Sequence, residues 1–128
     1  MSLAYWCVLI TALLPYVWVG VAKAQPGYNN RNPRAWASKS DNRLVQRAHA
    51  AHLNAFEAFA PFAAGVVLAQ LAGVAVSTIN MLALTFVALR VLHGVLYIAD
   101  KPLLRSVAWT AGIACPLALI VLAALQTA

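Results

Sequence analysis

The sequence predicts an all-α integral membrane protein, a bundle of four transmembrane helices in a single domain over residues 1–128. Hydrophobic residues make up 63% of the chain and charged residues only 9%, whereas charged residues are about 25% of an ordinary soluble domain. Four apolar stretches reach the roughly 20 residues that a helix needs to cross a bilayer. These predicted helices span about residues 3–24, 46–73, 78–99 and 103–125.

The distribution of positive charge predicts the orientation of the chain. Of its nine Lys and Arg residues, all but Arg90 lie near the first and third connections, which share one side of a four-helix chain. The positive-inside rule places both charged loops in the cytoplasm and both termini outside. Topology therefore explains the net charge of +6, and no nucleic-acid partner is predicted. The residues concerned are Lys23, Arg31, Arg34, Lys39, Arg43, Arg47, Lys101 and Arg105.

The first connection, residues 25–45, is predicted to be an irregular loop. Turn-forming residues are frequent in it, and it has no periodic apolar face. Its arginines Arg31, Arg34 and Arg43 either bind the headgroups of anionic membrane lipids or only fix the orientation of the protein. The sequence favours the second interpretation.

The second predicted helix carries a polar stripe. Arg47, Asn54 and Glu57 fall within a sector of roughly 80° on a helix, while His49 and His52 point to the other side. Glu57 lies about 15 Å along the helix from Arg47. An unpaired carboxylate at that depth in a bilayer costs on the order of 3 kcal/mol. Glu57 is therefore expected to have a partner or a ligand.

The third predicted helix supplies a matching stripe. Arg90, His93 and Tyr97 fall within a sector of roughly 60°, and Arg90 lies about 15 Å from the cytoplasmic end of its helix. In an antiparallel pair of helices, Arg90 would lie level with Glu57 and His93 level with Asn54. The sequence therefore predicts a Glu57–Arg90 ion pair, within or between subunits.

Two interpretations of these stripes remain open. The polar groups either only pack the helices, or they form a pocket that opens to the cytoplasm, and the size of the set favours the pocket. The fourth helix is predicted to begin at Pro102, so Arg105 and Ser106 lie in its first turn, where free amides and an arginine can hold an anion. Cys7 and Cys115 lack metal-ligand spacing, so no metal site is predicted.

The joint pattern resembles the MAPEG family, the membrane-associated proteins in eicosanoid and glutathione metabolism. The resemblance implies a homotrimer that binds glutathione between neighbouring subunits near the cytoplasmic side. It also implies that Arg105 and Ser106 hold or activate the thiolate and that Arg90 pairs with carboxylates in the core. The matching residues are Arg47, Asn54, Glu57, Arg90, His93, Tyr97, Arg105 and Ser106, of which Asn54, Glu57, His93, Tyr97 and Arg105 would contact glutathione.

Three positions depart from the family pattern. Where members that use glutathione carry an arginine four residues before the Asn, this chain has Ala50, and where one branch has an arginine directly before the Asn, it has Leu53. Trp109 replaces a tyrosine of the fourth helix. Arg47 lies on the same stripe as Ala50 and is predicted to replace the lost cation as a glutathione ligand, with Lys23 of a neighbouring subunit as a further candidate.

The resemblance predicts a glutathione-dependent transferase or peroxidase that acts on a lipophilic substrate entering from the bilayer. One alternative is a non-catalytic MAPEG-like membrane protein in which the same polar residues only pack the trimer. Another is a small proton-coupled exporter, which is disfavoured because Arg90 at the depth of Glu57 would keep the carboxylate ionised.

Overall fold

A computed structural model describes residues 2–128 of the chain. Over these residues it contains five helices and no strand: α1 (Ser2–Lys23), α2 (Pro33–Lys39), α3 (Arg43–Leu71), α4 (Val76–Ile98) and α5 (Pro102–Gln126). The four longer helices, α1, α3, α4 and α5, are long and apolar enough to cross a membrane. The predicted all-helical fold with four membrane-spanning helices is therefore confirmed.

The first connection differs from the predicted irregular loop because it contains α2. Pro33 stands at the start of this helix, where its fixed φ suits helical geometry and its missing N–H is not needed. Ala37 is buried against Ala22, Val45 and Ala48. This short apolar face was obscured in the sequence by the turn-forming residues on either side of it.

Helix α3 begins at Arg43 because Asn42 caps it. The Asn42 Oδ1 atom accepts a hydrogen bond from the backbone N–H of Leu44 at 2.9 Å, which satisfies one of the free amides of the first turn. The helix thus starts before residue 46, the predicted beginning of the span. Arg47 therefore lies in the second turn of α3, close to the charged first connection.

The core of the bundle combines large and small residues. The rings of Phe62 on α3 and Phe86 on α4 stack with their centroids 4.2 Å apart. Gly65 lies so close to α5 that an added Cβ would come within 3.2 Å of the Leu119 Cβ. Such small residues allow membrane helices to approach closely, which gives dispersion contacts where no hydrophobic driving force exists.

The turn between α4 and α5 determines how the end of α4 and the start of α5 lie relative to each other. Asp100 adopts a left-handed conformation with φ of 61°, which aspartate tolerates better than most residues. The amide of Lys101 donates to the carbonyl of Leu96 at 3.0 Å, and that of Asp100 donates to Tyr97 at 3.2 Å. This pattern is a Schellman motif, and it reverses the chain tightly so that the start of α5 lies beside the end of α4.

Candidate functional site

A polar cavity of about 240 Å³ lies between α3, α4 and α5 at the end of the bundle that carries the charged connections. Five residues that the sequence predicted for the site line it together: Asn54 from α3, His93 and Tyr97 from α4, and Arg105 and Ser106 from α5. We call this space the Arg105 cavity.

Arg105 is held at this cavity by an aromatic contact. Its guanidinium carbon lies 4.3 Å from the centroid of the Tyr97 ring, well within the distance at which a cation is attracted to a ring face. The position follows from the start of α5 at Pro102, which puts Arg105 in the first helical turn. The cavity wall therefore carries a cation close to the positive end of the α5 dipole.

His93 forms a buried polar part of the wall. Its side chain is only 2% exposed, and its ring meets that of Tyr97 edge to face at 5.6 Å. Within residues 2–128 its Nδ1 atom has no hydrogen-bond partner. A buried polar atom without a partner costs about 1–3 kcal/mol, so the wall of the cavity contains one unsatisfied polar group.

A second, smaller cavity of about 80 Å³ adjoins the first and is lined by Glu57 and Arg90. Asn54 and Trp109 line both cavities. The Nη2 atom of Arg90 donates to Asn54 Oδ1 at 2.7 Å, and Arg90 is only 3% exposed. The Asn54 amide therefore connects the buried arginine to the Arg105 cavity.

Within the protomer, the hydrogen bond of Arg90 thus goes to Asn54 rather than to Glu57. Glu57 lies on the exposed surface of α3 but shares the smaller cavity with Arg90. A guanidinium has five N–H donors, so the bond to Asn54 leaves donors for a carboxylate. The Glu57–Arg90 ion pair remains a prediction.

Arg47 is separate from the other predicted site residues. Its Nε atom donates to the backbone carbonyl of Ile98 at 3.2 Å, and it lines neither the Arg105 cavity nor the cavity of Glu57 and Arg90. The last carbonyls of a helix lack partners within the helix, and the last turn of α4 supplies one to Arg47. The role of Arg47 as a glutathione ligand remains a prediction.

Two residues of the Arg105 cavity were not predicted to line it. Thr110 completes one wall, and Trp109 stands where the two cavities meet. The sequence marked Trp109 only as a departure from the family pattern. Its spacing of three residues from Ser106 and four from Arg105 was the available signal, because residues so spaced share a helix face.

The fold and the site define a class of protein: a four-helix integral membrane protein with a polar, arginine-bearing cavity at one end of its bundle. Residues 3–125 match the model of the MAPEG family, and the chain belongs to that family. Comparisons with curated proteins and with solved structures find no match. The family indicates a multi-pass membrane protein with a function related to glutathione or eicosanoid metabolism.

Proposed function

We propose that this protein is a glutathione-dependent membrane transferase or peroxidase that acts on a lipophilic substrate. One observation carries the proposal: the guanidinium of Arg105 is fixed over Tyr97 beside Ser106, at the N-terminus of α5. A cation, a hydroxyl and helix amides in one place are the groups that stabilise a thiolate.

The residues present suit glutathione, a tripeptide with two carboxylates, two amides and a thiol. Asn54 and His93, which line the cavity, are the side chains placed to bond its backbone, while Arg105 and Tyr97 stand nearer the mouth. The cavity of about 240 Å³ is below the 300–1,000 Å³ that is typical of small-molecule sites. A neighbouring subunit would enlarge it.

The exposed position of Glu57 supports the homotrimer that this proposal includes. An exposed carboxylate deep in a bilayer costs on the order of 3 kcal/mol, and Glu57 is exposed on the isolated protomer. Covering by another subunit removes that cost and would place glutathione ligands from two chains around one site. Glu57 would then complete both the ion pair with Arg90 and the ligand set.

The thiol of glutathione would be the nucleophile, and residues of this chain would raise the ionised fraction of that thiol. A thiol with a pKa near 8.5 is only a few per cent ionised at pH 7. Lowering that pKa by about two units requires roughly 2.7 kcal/mol of preferential stabilisation of the thiolate. Arg105 would provide most of it through its charge, Ser106 would donate its hydroxyl hydrogen to the sulfur, and the amides at the start of α5 would add to the field.

The test compares Arg105→Ala with Arg31→Ala in detergent-purified protein. Glutathione binding is measured by calorimetry and thiolate formation by the ultraviolet absorbance of the bound thiolate. Arg105→Ala should lose the thiolate signal, because the nearest cation is removed, while its oligomeric state is kept. Arg31→Ala removes the same charge from an exposed loop that lines neither cavity of the candidate site, and it should behave like the parent.

Two results would contradict the enzymatic proposal. One is a parent protein that binds no glutathione at millimolar concentration. The other is an Arg105→Ala variant that keeps full glutathione-dependent turnover. Either would favour the alternative of a non-catalytic family member in which these polar residues only pack the helices.

A further inference from the structure

A separate cavity of about 150 Å³ lies on the other side of α3, between the end of α1, the short helix α2 and the start of α3. It shares no lining residue with the Arg105 cavity. His52 lines it, whereas Asn54 lines the candidate active site, and two residues turn a helix by about 200°. We call this space the α2 cavity. Arg105 and Ser106, the proposed thiolate-stabilising residues, do not line it, and among the residues named above as glutathione ligands only Lys23, a candidate from a neighbouring subunit, does.

The rim of the α2 cavity is cationic. Lys23 at the end of α1 and Arg34 in α2 both line it, and both are exposed. The chain has only three acidic residues, and of residues 2–128 none that lines this cavity is acidic. The positive charge at the rim is therefore available to an anionic group.

Apolar and aromatic side chains also line the α2 cavity, away from its charged rim. Val19, Tyr16 and Trp36 line it, and Trp36 is held in place by an edge-to-face contact with Tyr28 at 5.3 Å. Tyr16 precedes Lys23 by seven residues, so the cavity reaches about 10 Å along α1 from its charged rim. A ligand that fits both parts carries an anion at one end and a hydrocarbon at the other.

His52 adds a polar ring to this wall. Its Nδ1 donates to the carbonyl of Pro15 at 2.7 Å, which leaves Nε2 as the second hydrogen-bonding atom of the ring. A headgroup that carries a hydroxyl as well as a phosphate would match this nitrogen together with the cations of the rim.

We propose that the α2 cavity binds one anionic phospholipid, with its phosphate between Lys23 and Arg34 and an acyl chain along Tyr16 and Val19. Aromatic side chains and basic residues are characteristic of the membrane interface, where such headgroups lie. The side of the membrane that attracts basic segments is also the one rich in anionic lipids. The site goes beyond the proposed enzymatic function and does not depend on it.

The test uses native mass spectrometry of the detergent-purified protein with phosphatidylglycerol or phosphatidylcholine. We expect one phosphatidylglycerol per protomer, with phosphatidylcholine bound much more weakly. The double variant Lys23→Ala, Arg34→Ala should weaken phosphatidylglycerol binding about 25-fold, since each basic residue near an anionic surface contributes about fivefold. The double variant Arg31→Ala, Arg43→Ala removes the same charge outside the cavity and should bind as the parent does.

A cavity-filling variant distinguishes binding in the α2 cavity from attraction of the lipid to positive charge on the surface in general. Val19→Phe leaves every charge in place but occupies the apolar part, so it should also lose the lipid. Equal losses in the two double variants, or unchanged binding in Val19→Phe, would overturn the proposal. If Val19→Phe does not fold, the two double variants still decide.

Inorganic phosphate distinguishes a lipid from a free anion. Added at the same concentration as the lipid, phosphate should displace little of it, because phosphate lacks the acyl chain that contacts Tyr16 and Val19. Complete displacement would show a site for a free anion and would overturn the assignment to a phospholipid.

Discussion

At the scale of single residues, Asn54 joins the two halves of the polar site. It accepts a hydrogen bond from the buried Arg90 and also lines the cavity of Arg105. A charge in a low-dielectric interior is stable only when it is hydrogen-bonded or paired. The Asn54 amide gives Arg90 one hydrogen-bond acceptor, and the predicted contact with Glu57 would give it an opposite charge.

The predicted contact between Glu57 and Arg90 can be tested by a double-mutant cycle of these two residues. In the proposed trimer, where another subunit would cover Glu57, the variants Glu57→Gln and Arg90→Gln should each lower stability by a few kcal/mol, because each leaves the other charge buried without its partner. The double variant should lose less than the sum of the single losses. Unfolding in detergent, followed together with the oligomeric state, gives the coupling energy.

A control cycle of Arg90→Gln with Gln70→Ala should be additive within about 0.5 kcal/mol, since Gln70 lies in the last turn of α3, where its side chain contacts Tyr5, and Arg90 lies 14 residues beyond the start of α4. Additivity in the Glu57–Arg90 cycle as well would show that the two charges do not interact in the assembly.

At the scale of elements, the contact between α1 and α4 depends on a glycine. An added Cβ at Gly94 would overlap the indole ring of Trp18, and Trp18 is itself buried. Gly94 directly follows His93 and precedes Tyr97 by three residues, about one helical turn, so the contact helps to fix the part of α4 that carries the site.

The variant Gly94→Ala should therefore lose about 1–3 kcal/mol of stability through overpacking, measured by thermal or denaturant unfolding in detergent. Adding Trp18→Leu should restore much of the loss, because the smaller side chain makes room for the methyl group. Gly20→Ala is the matched control: no atom lies within 4 Å of its added Cβ, and alanine favours a helix. A Gly94→Ala protein as stable as the Gly20→Ala protein would contradict this account.

At the scale of the whole molecule, the bundle has one basic end and one end with little charge. The candidate active site and the α2 cavity both lie at the basic end. The orientation predicted from charge places that end in the cytoplasm. Both sites would then face the compartment that supplies glutathione and the leaflet that supplies anionic lipid.

Cysteine labelling tests this orientation. Ser38 and Ser77 are exposed at opposite ends of the bundle, and the native thiols of Cys7 and Cys115 are buried, which keeps background labelling low. A membrane-impermeant reagent added to intact cells should label Ser77→Cys but not Ser38→Cys. Labelling of position 38 from outside would reverse the predicted topology.

The sequence by itself determined the class of the protein, because long apolar stretches and the asymmetry of Lys and Arg act through composition and spacing alone. Helical periodicity also placed Asn54, His93 and Tyr97 on the faces that meet. It did not reveal α2, whose stability comes from packing Ala37 against α1 and α3.

Only the tertiary structure decided which partners the long polar side chains choose. Arg47 donates to Ile98 and Arg90 to Asn54. Depth along the helices places Arg47 level with the end of α4 but does not name its acceptor, and it pairs Arg90 with Glu57 rather than with Asn54. Long flexible side chains reach about one helical turn in either direction, so several acceptors are within range of each arginine. Their choice depends on how closely α3, α4 and α5 approach one another, which is set by packing at residues such as Gly65 and Gly112 rather than by the polar pattern.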